Sequence, residues 1–262
     1  MRVFDFGANW QAFSQQHVNE VRLATAEQSL KALLQRPNLT GSTFLDVGCG
    51  SGLFSIAAQR LGASKVIGVD INPRCIEVSK QNQTHLTPYK LIEFQQASVL
   101  SPEDLAGLGQ FDIVYAWGSL HHTGSMWEAI DNVSRLVAPG GTLVLGIYKK
   151  HATSPVWKAI KWLYNQVPSL VQRMMVVLFA GIIYIAKFLV TRANPFTKER
   201  GMDFWYDVID WVGGYPYEYA SVQEIGRFVS KHGFVLLRAI PDSVPTGITE
   251  FVFSKSQKGD QQ

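Results

Sequence analysis

The chain has 262 residues, 47% of them hydrophobic, enough for one large α/β domain with a sizeable core. Its two cysteines, Cys49 and Cys75, exclude a disulfide framework and point to a reducing cytoplasm, and the N-terminal stretch MRVFDFGANW lacks the apolar run of a signal peptide. The net charge of +3 excludes little by itself. Lys149–Arg200, however, holds nine Lys/Arg and one acid, or +8, leaving −5 for the rest, a split that suits a local partner of opposite sign or a membrane surface.

In chain order, Asn9–Arg36 reads as a helix, with Val21, Ala24, Leu30 and Leu33 near helical spacing and Pro37 ending it. Phe4, Phe6, Trp10 and Phe13 precede or enter it. Thr43–Gly52 follows as TFLDVGCGSG: a short apolar strand, then a G-x-G-x-G turn at Gly48, Gly50 and Gly52. A helix is expected over Leu53–Leu61. Leu53 stands where the dinucleotide fingerprint needs its third glycine, so the turn suits a nucleoside ligand better than a pyrophosphate. A second strand, Lys65–Val69, ends at Asp70, placed to accept both ribose hydroxyls. Cys49, inside the turn, reads as a small filler.

Asn72-Pro73 opens a helix running to about Gln83. Strands are expected at Leu91–Gln96, Phe111–Ala116 and Thr142–Tyr148, with helices at Pro102–Leu108 and Met126–Val137. Past Tyr148 about 70 residues intervene before the pattern resumes. In that insertion Met174–Ala186 is an uncharged run of 13 residues, shorter than the ~20 a membrane span needs, which favours a buried or interfacial helix. Asp203, Asp207 and Asp210 share one helical face beside Phe204, Val208 and Trp211. Ser221 and Glu224 form a capping box, and the last strands fall at Phe234–Ala239 and Glu250–Ser254.

These stretches resemble the class I S-adenosylmethionine (SAM)-dependent methyltransferases: LDVGCGSG their first motif, Val69–Asp70 the end of their second strand, FDIVYAWGSLHH their fourth strand and loop, LVAPGGTLVL the turn before the fifth. More closely, the chain resembles a bacterial subgroup with FGxNWxxF (Phe6–Phe13), WGxLHHTG (Trp117–Gly124) and RGMxxWxDxxDWxGGYPxE (Arg200–Glu218). The resemblance implies a Rossmann-like, seven-stranded, mostly parallel sheet with helices on both faces and a largely helical insertion after the fifth strand. It implies a helical cap over 1–40, a SAM-binding core over 41–148, an insertion or substrate lid over 149–220, a returning core part over 221–254 and a disordered tail over 255–262.

It also implies cofactor contacts from Asp46, Gly48, Gly50, Gly52, Asp70, Ile71 and Trp117, with Trp10 and Phe13 closing over the methionine end. Relatives carry an acid near Ala97–Ser98 that faces the adenine amino group. Here Ser98 or a backbone carbonyl must serve. His121 and His122 sit in the loop that should face the methyl group, where a neutral imidazole, His122 in first place, can take a proton or merely brace the loop. Asp207 or Asp210 is the second candidate base and Tyr215 the third. The expected acceptor is an oxygen or nitrogen of a small, partly apolar molecule. A protein side chain, or a lipid or quinone met at a membrane through 154–190, is the alternative. Nucleic acid is disfavoured, because the basic residues alternate with long apolar runs. No metal site is expected.

Overall fold

The structure is a computed structural model that describes residues 4–7, 9, 11, 14, 18–87, 92–192, 204–244 and 246–257. In chain order its elements are α1 (Glu20–Leu34), β1 (Thr43–Val47), α2 (Leu53–Arg60), β2 (Lys65–Asp70), α3 (Pro73–Leu86), β3 (Glu93–Gln96), α4 (Pro102–Ala106) and β4 (Phe111–Trp117). A short turn of 3₁₀ helix (Leu120–His122) leads to α5 (Met126–Arg135) and β5 (Val137–Tyr148). The insertion supplies α6 (Ser154–Gln166), α7 (Ser169–Thr191) and α8 (Phe204–Gly213), and the chain returns as α9 (Val222–Ser230), β6 (Phe234–Pro241) and β7 (Ile248–Lys255).

The strands form one sheet in the order β3-β2-β1-β4-β5-β7-β6, parallel except for β7, which runs antiparallel between β5 and β6. Successive side chains on a strand point to opposite faces, so each central strand feeds two cores. Leu45 and Val47 of β1 pack with Ile130 and Val133 of α5 and Ile225 of α9 on one face. Phe44 of the same strand packs with Leu23 and Leu30 of α1 and Ile56 of α2 on the other. The expected seven-stranded sheet covered on both faces is therefore present. The strand order reverses between β1 and β4, which opens a crevice at their carboxyl ends.

Three expectations change. The N-terminal helix is interrupted at Asn19, whose side chain accepts the Arg22 N–H and caps a fresh start at Glu20. Lys255 belongs to β7 rather than to a tail: its Nζ donates to the Val137 carbonyl at 2.7 Å, and Ser256 N donates to Gly233 O. The 13-residue uncharged run is the middle of a 23-residue helix, α7, because Arg173 is an exposed helix former that need not end it. The insertion has a third, separate core of Tyr164, Ala180, Ile183, Phe204, Val208 and Val212, joined by Phe4 from the N-terminal segment. Its two ends meet at the sheet, where Lys150 N donates to Ala220 O and Ala220 N to Tyr148 O, both at 3.0 Å.

Candidate active site

The first βα turn is built from backbone. Gly48 N and Cys49 N donate to Val69 O at 2.8 and 3.0 Å, folding the turn over the end of β2. Gly48 has φ +72°, and a Cβ there would lie 2.3 Å from Ser119 Cβ, so no other residue fits. Ser119 Oγ in turn donates to Val47 O at 2.8 Å, tying the loop after β4 to the end of β1. Gly48 lines the cavity that opens here. Gly50 and Gly52 are buried behind it and shape the turn, Gly52 against Ser79 and Phe94. Cys49 is buried, and burial raises its thiol well above the usual range, which leaves it a filler.

Asp70 accepts Gly50 N on one oxygen at 3.1 Å and Asn72 N on the other at 2.9 Å. The Cys75 thiol is a third, weaker donor to it, and the acceptor capacity that remains lies at the cavity for the ribose hydroxyls. Burial raises Asp70 above the ordinary carboxylate range, with the Asn72 and Gly50 N–H groups and the Cys75 thiol opposing. Asp46 is buried, accepts the Ser55 hydroxyl at 2.6 Å and is pushed up to about 7 by burial, an effect the Ser55 bond opposes and Asp70 reinforces.

Ile71, 67% exposed, lines the cavity with Ala97, Ser98 and Leu120, as an adenine ring requires of its walls. Ser98 is already engaged: its Oγ accepts Leu100 N at 3.2 Å and its N–H donates to Asp104 at 2.8 Å, so Asp104 supplies a carboxylate beside Ser98. Trp117 lines the cavity and donates Nε1–H to Glu250 at 2.7 Å.

The other end of the cavity is assembled from distant segments. His122 and Pro216 meet at 2.6 Å. The Pro216 carbonyl can only accept, so His122 Nδ1 carries the proton and Nε2 keeps its lone pair. Burial, helped by the nearby Lys161 charge and opposed by the Pro216 bond, lowers this imidazole to about 3. Asp207, Asp210 and Trp211 of α8 line the same cavity, with Phe4, Phe6 and Tyr148. Asn9 Nδ2 donates to Asp210 at 2.7 Å and to Tyr206 O at 3.1 Å. The Phe6 ring lies 4.7 Å from the His122 ring. Gly214 allows this approach: a Cβ there would meet Asp210 O at 2.6 Å, His122 Cε1 at 3.0 Å and the Phe6 ring at 3.3 Å.

Behind this wall Lys161 is buried, donating to Trp211 O and lying 4.9 Å from the Tyr217 ring and 5.5 Å from that of Tyr148. Burial pushes Asp210 up to about 8 and Lys161 down to about 7, and their mutual attraction opposes both shifts.

The structure thus brings Asp46, Gly48, Asp70, Ile71, Ser98, Trp117, His122 and Asp207 to one cavity of about 790 Å³, a volume typical of small-molecule sites. It leaves two candidate bases out. His121 is fully buried against Tyr148, 4.1 Å between rings, and lies behind the cavity wall. Tyr215 is absent from the lining and offers its carbonyl to Phe4 N. Trp10, Phe13 and Asp203 lie outside the described residues. Asn9, Tyr148 and Lys161 carry no role in the sequence reading. Only Asn9 had a signal there, inside the quoted FGxNW stretch.

A glycine turn and a carboxylate at adjoining strand ends, beneath a cavity at the reversal of strand order, define a nucleoside-binding Rossmann-like domain. The family model described as a methyltransferase domain matches residues 18–237, and the chain belongs to that family. The chain is similar to the ribosomal protein L11 methyltransferase of Photobacterium profundum, 39% identical over 113 residues that are 43% of this chain and 35% of that protein. It is likewise similar to that of Vibrio cholerae, 38% identical over 122 residues, 46% and 39% of the two chains. The chain therefore spans well under half the length of these relatives.

Among solved structures it matches the magnesium protoporphyrin IX methyltransferase of Synechocystis PCC 6803 with bound SAH, the demethylated form of SAM. The TM-score is 0.61 and the identity 18%, over 95% and 94% of the two chains. A SAM-dependent methyltransferase from Mesorhizobium loti matches with TM-score 0.53 and identity 17%, over 88% and 98%. The fold is that of a SAM-dependent methyltransferase domain, and the spare acceptor positions of Asp70, the open approach at Gly48 and the walls of Ile71 and Leu120 fit that cofactor.

Proposed function

We propose that the protein transfers a methyl group from SAM to an oxygen or nitrogen of a small, partly apolar acceptor held between Asp210, His122 and the aromatic wall of Phe6, Tyr148 and Trp211. The observation that carries this reading is the convergence of His122 and Asp210, from distant segments, on the cavity that Asp70 lines, with Asn9 from a third segment holding Asp210. Asp70 holds the ribose and the glycine turn admits the nucleoside to the main chain. SAM supplies a methyl group already activated by its sulfonium.

The chain has then to align the acceptor, exclude water and take up a proton. Asp210 lines the cavity with its carboxylate held by Asn9, and burial raises its proton affinity while burial lowers that of His122, so on this reading Asp210 is the base and His122 the orienting group. This reverses the order suggested by the histidine pair. Asn9 fixes the Asp210 carboxylate through the 2.7 Å bond and is a positioning residue.

An aromatic wall suits a small acceptor better than the protein side chain suggested by the names of the ribosomal relatives, which match less than half of this chain. A lipid-soluble acceptor such as a quinone is the form favoured by the exposed apolar face of α7. The test is a transfer screen with methyl-labelled SAM over metabolite, lipid and protein fractions, run with wild type and Asp210→Asn. Labelling of a small acceptor that falls about 10²-fold or more in the variant supports the reading. Labelling confined to protein, or equal turnover by the variant, overturns it.

A further inference from the structure

α7 has two unlike faces. Ala180 and Ile183 are buried in the insertion core, with Phe179 5.6 Å from Trp157 and Tyr184 6.2 Å from Phe204. Leu170, Met174, Val177, Leu178, Ile182 and Ile185 recur at helical spacing on the outer side and are 50–69% exposed. The window Ser169–Ala186 has a mean hydropathy of 1.9, yet only 11% of it is buried. A helix this apolar in a water-soluble core is covered all round, and an uncovered apolar face of this extent marks an interaction site.

The charges around it narrow the partner. No Asp or Glu occurs between Lys149 and Lys198, and Lys158, Arg173 and Arg192 are exposed, the last two near the ends of α7. Pairing two copies of this face across a two-fold axis would bring like cations together with no carboxylate on the segment to offset them. An anionic lipid surface removes that repulsion and also accepts the apolar side chains.

We infer that the outer face of α7 lies on an anionic lipid bilayer, parallel to its surface, with Arg173 and Arg192 at the headgroups. The inner face stays packed on the domain, so the helix lies in the interface rather than crossing it. α8 packs against α7 and carries Asp207 and Asp210 into the cavity. The bilayer therefore lies about one helix diameter, ~10 Å, from the acceptor end. Delivery of a lipid-dissolved acceptor rests on the function proposed above. The docking itself does not.

The experiment is flotation of the full chain with phosphatidylcholine vesicles, with and without phosphatidylglycerol. It compares wild type, Val177→Glu/Ile185→Glu and Arg173→Glu/Arg192→Glu. SAH affinity by calorimetry serves as the check on folding, and sedimentation velocity is run without lipid. Wild type floats with the anionic vesicles and not with phosphatidylcholine alone. Each double variant keeps its SAH affinity and loses about tenfold or more of the floated fraction. The inference is overturned if wild type stays at the bottom of the gradient or if folded variants float like wild type. It is equally overturned if a lipid-free dimer forms that the same variants split. Flotation without any methylated small acceptor in the transfer screen would overturn the acceptor reading alone.

Discussion

The two ends of the cavity are built in opposite ways. At the cofactor end, Asp46, Gly48 and Asp70 lie within one βαβ unit and are held by main-chain bonds of the parallel sheet. At the acceptor end, Asn9 and Asp210 are 201 residues apart and meet through side chains of the insertion and the N-terminal segment. A site made of backbone at a strand end tolerates little variation, whereas one made of side chains on an inserted layer can change without disturbing the sheet. The first end therefore identifies the family, and the second is where we propose that the acceptor is chosen.

The sharpest way to break this division is Asp70→Ala. It removes two charge-assisted hydrogen bonds of about 1.5–3 kcal/mol each, so SAH binding weakens by about 10²–10⁴-fold in calorimetry. Asp210→Asn is the converse. It leaves SAH affinity within about twofold and lowers kcat by about 10²-fold or more. In wild type kcat/KM rises with pH through about 8 as Asp210 ionises, and the variant lacks that limb. A pH profile unchanged by the variant would assign the proton elsewhere.

Gly214→Ala has a smaller effect that joins the two kinds of structure. Its Cβ would meet Asp210 O at 2.6 Å, and relieving that overlap costs about 1–3 kcal/mol, read as a lower Tm together with a raised KM for the acceptor. The smallest expected effect is a change of slope. Asp46, pushed up to about 7 in the folded chain, binds its proton more tightly than the unfolded chain does. Its contribution to stability is complete below the ordinary carboxylate pKa and is lost as pH rises through about 7. The slope approaches about 1.4 kcal/mol per pH unit. Asp46→Asn flattens that slope in denaturant titrations between about pH 5 and 8. An unchanged slope would place the proton on another group.

What could be read in advance follows the same division. The glycine turn, Asp70 and the strand pattern are local, and local spacing reports them. Lys161 could not be read, because nothing in the run KAIKWLY separates it from Lys158 three residues earlier. One points outward and the other is buried beneath Tyr217. Asp207 and Asp210 could be read as candidate bases from their shared helical face beside aromatics, but not which of them Asn9 would hold, because that contact joins segments 201 residues apart. The histidine pair looked like one feature, yet only His122 reaches the cavity, since adjacent residues in a tight turn point in different directions.

The bonds that join Tyr148 and Lys150 to Ala220 bring the two ends of the insertion together at a single point on the sheet. The insertion's core is separate from the two that flank the strands. A chain cut at this seam and resealed with a short turn would keep its nucleoside grip and lose its acceptor, and SAH calorimetry on such a deletion would show it. On the function proposed above, the layer is a graft with one scar, and exchanging it for another would give the same engine a new cargo.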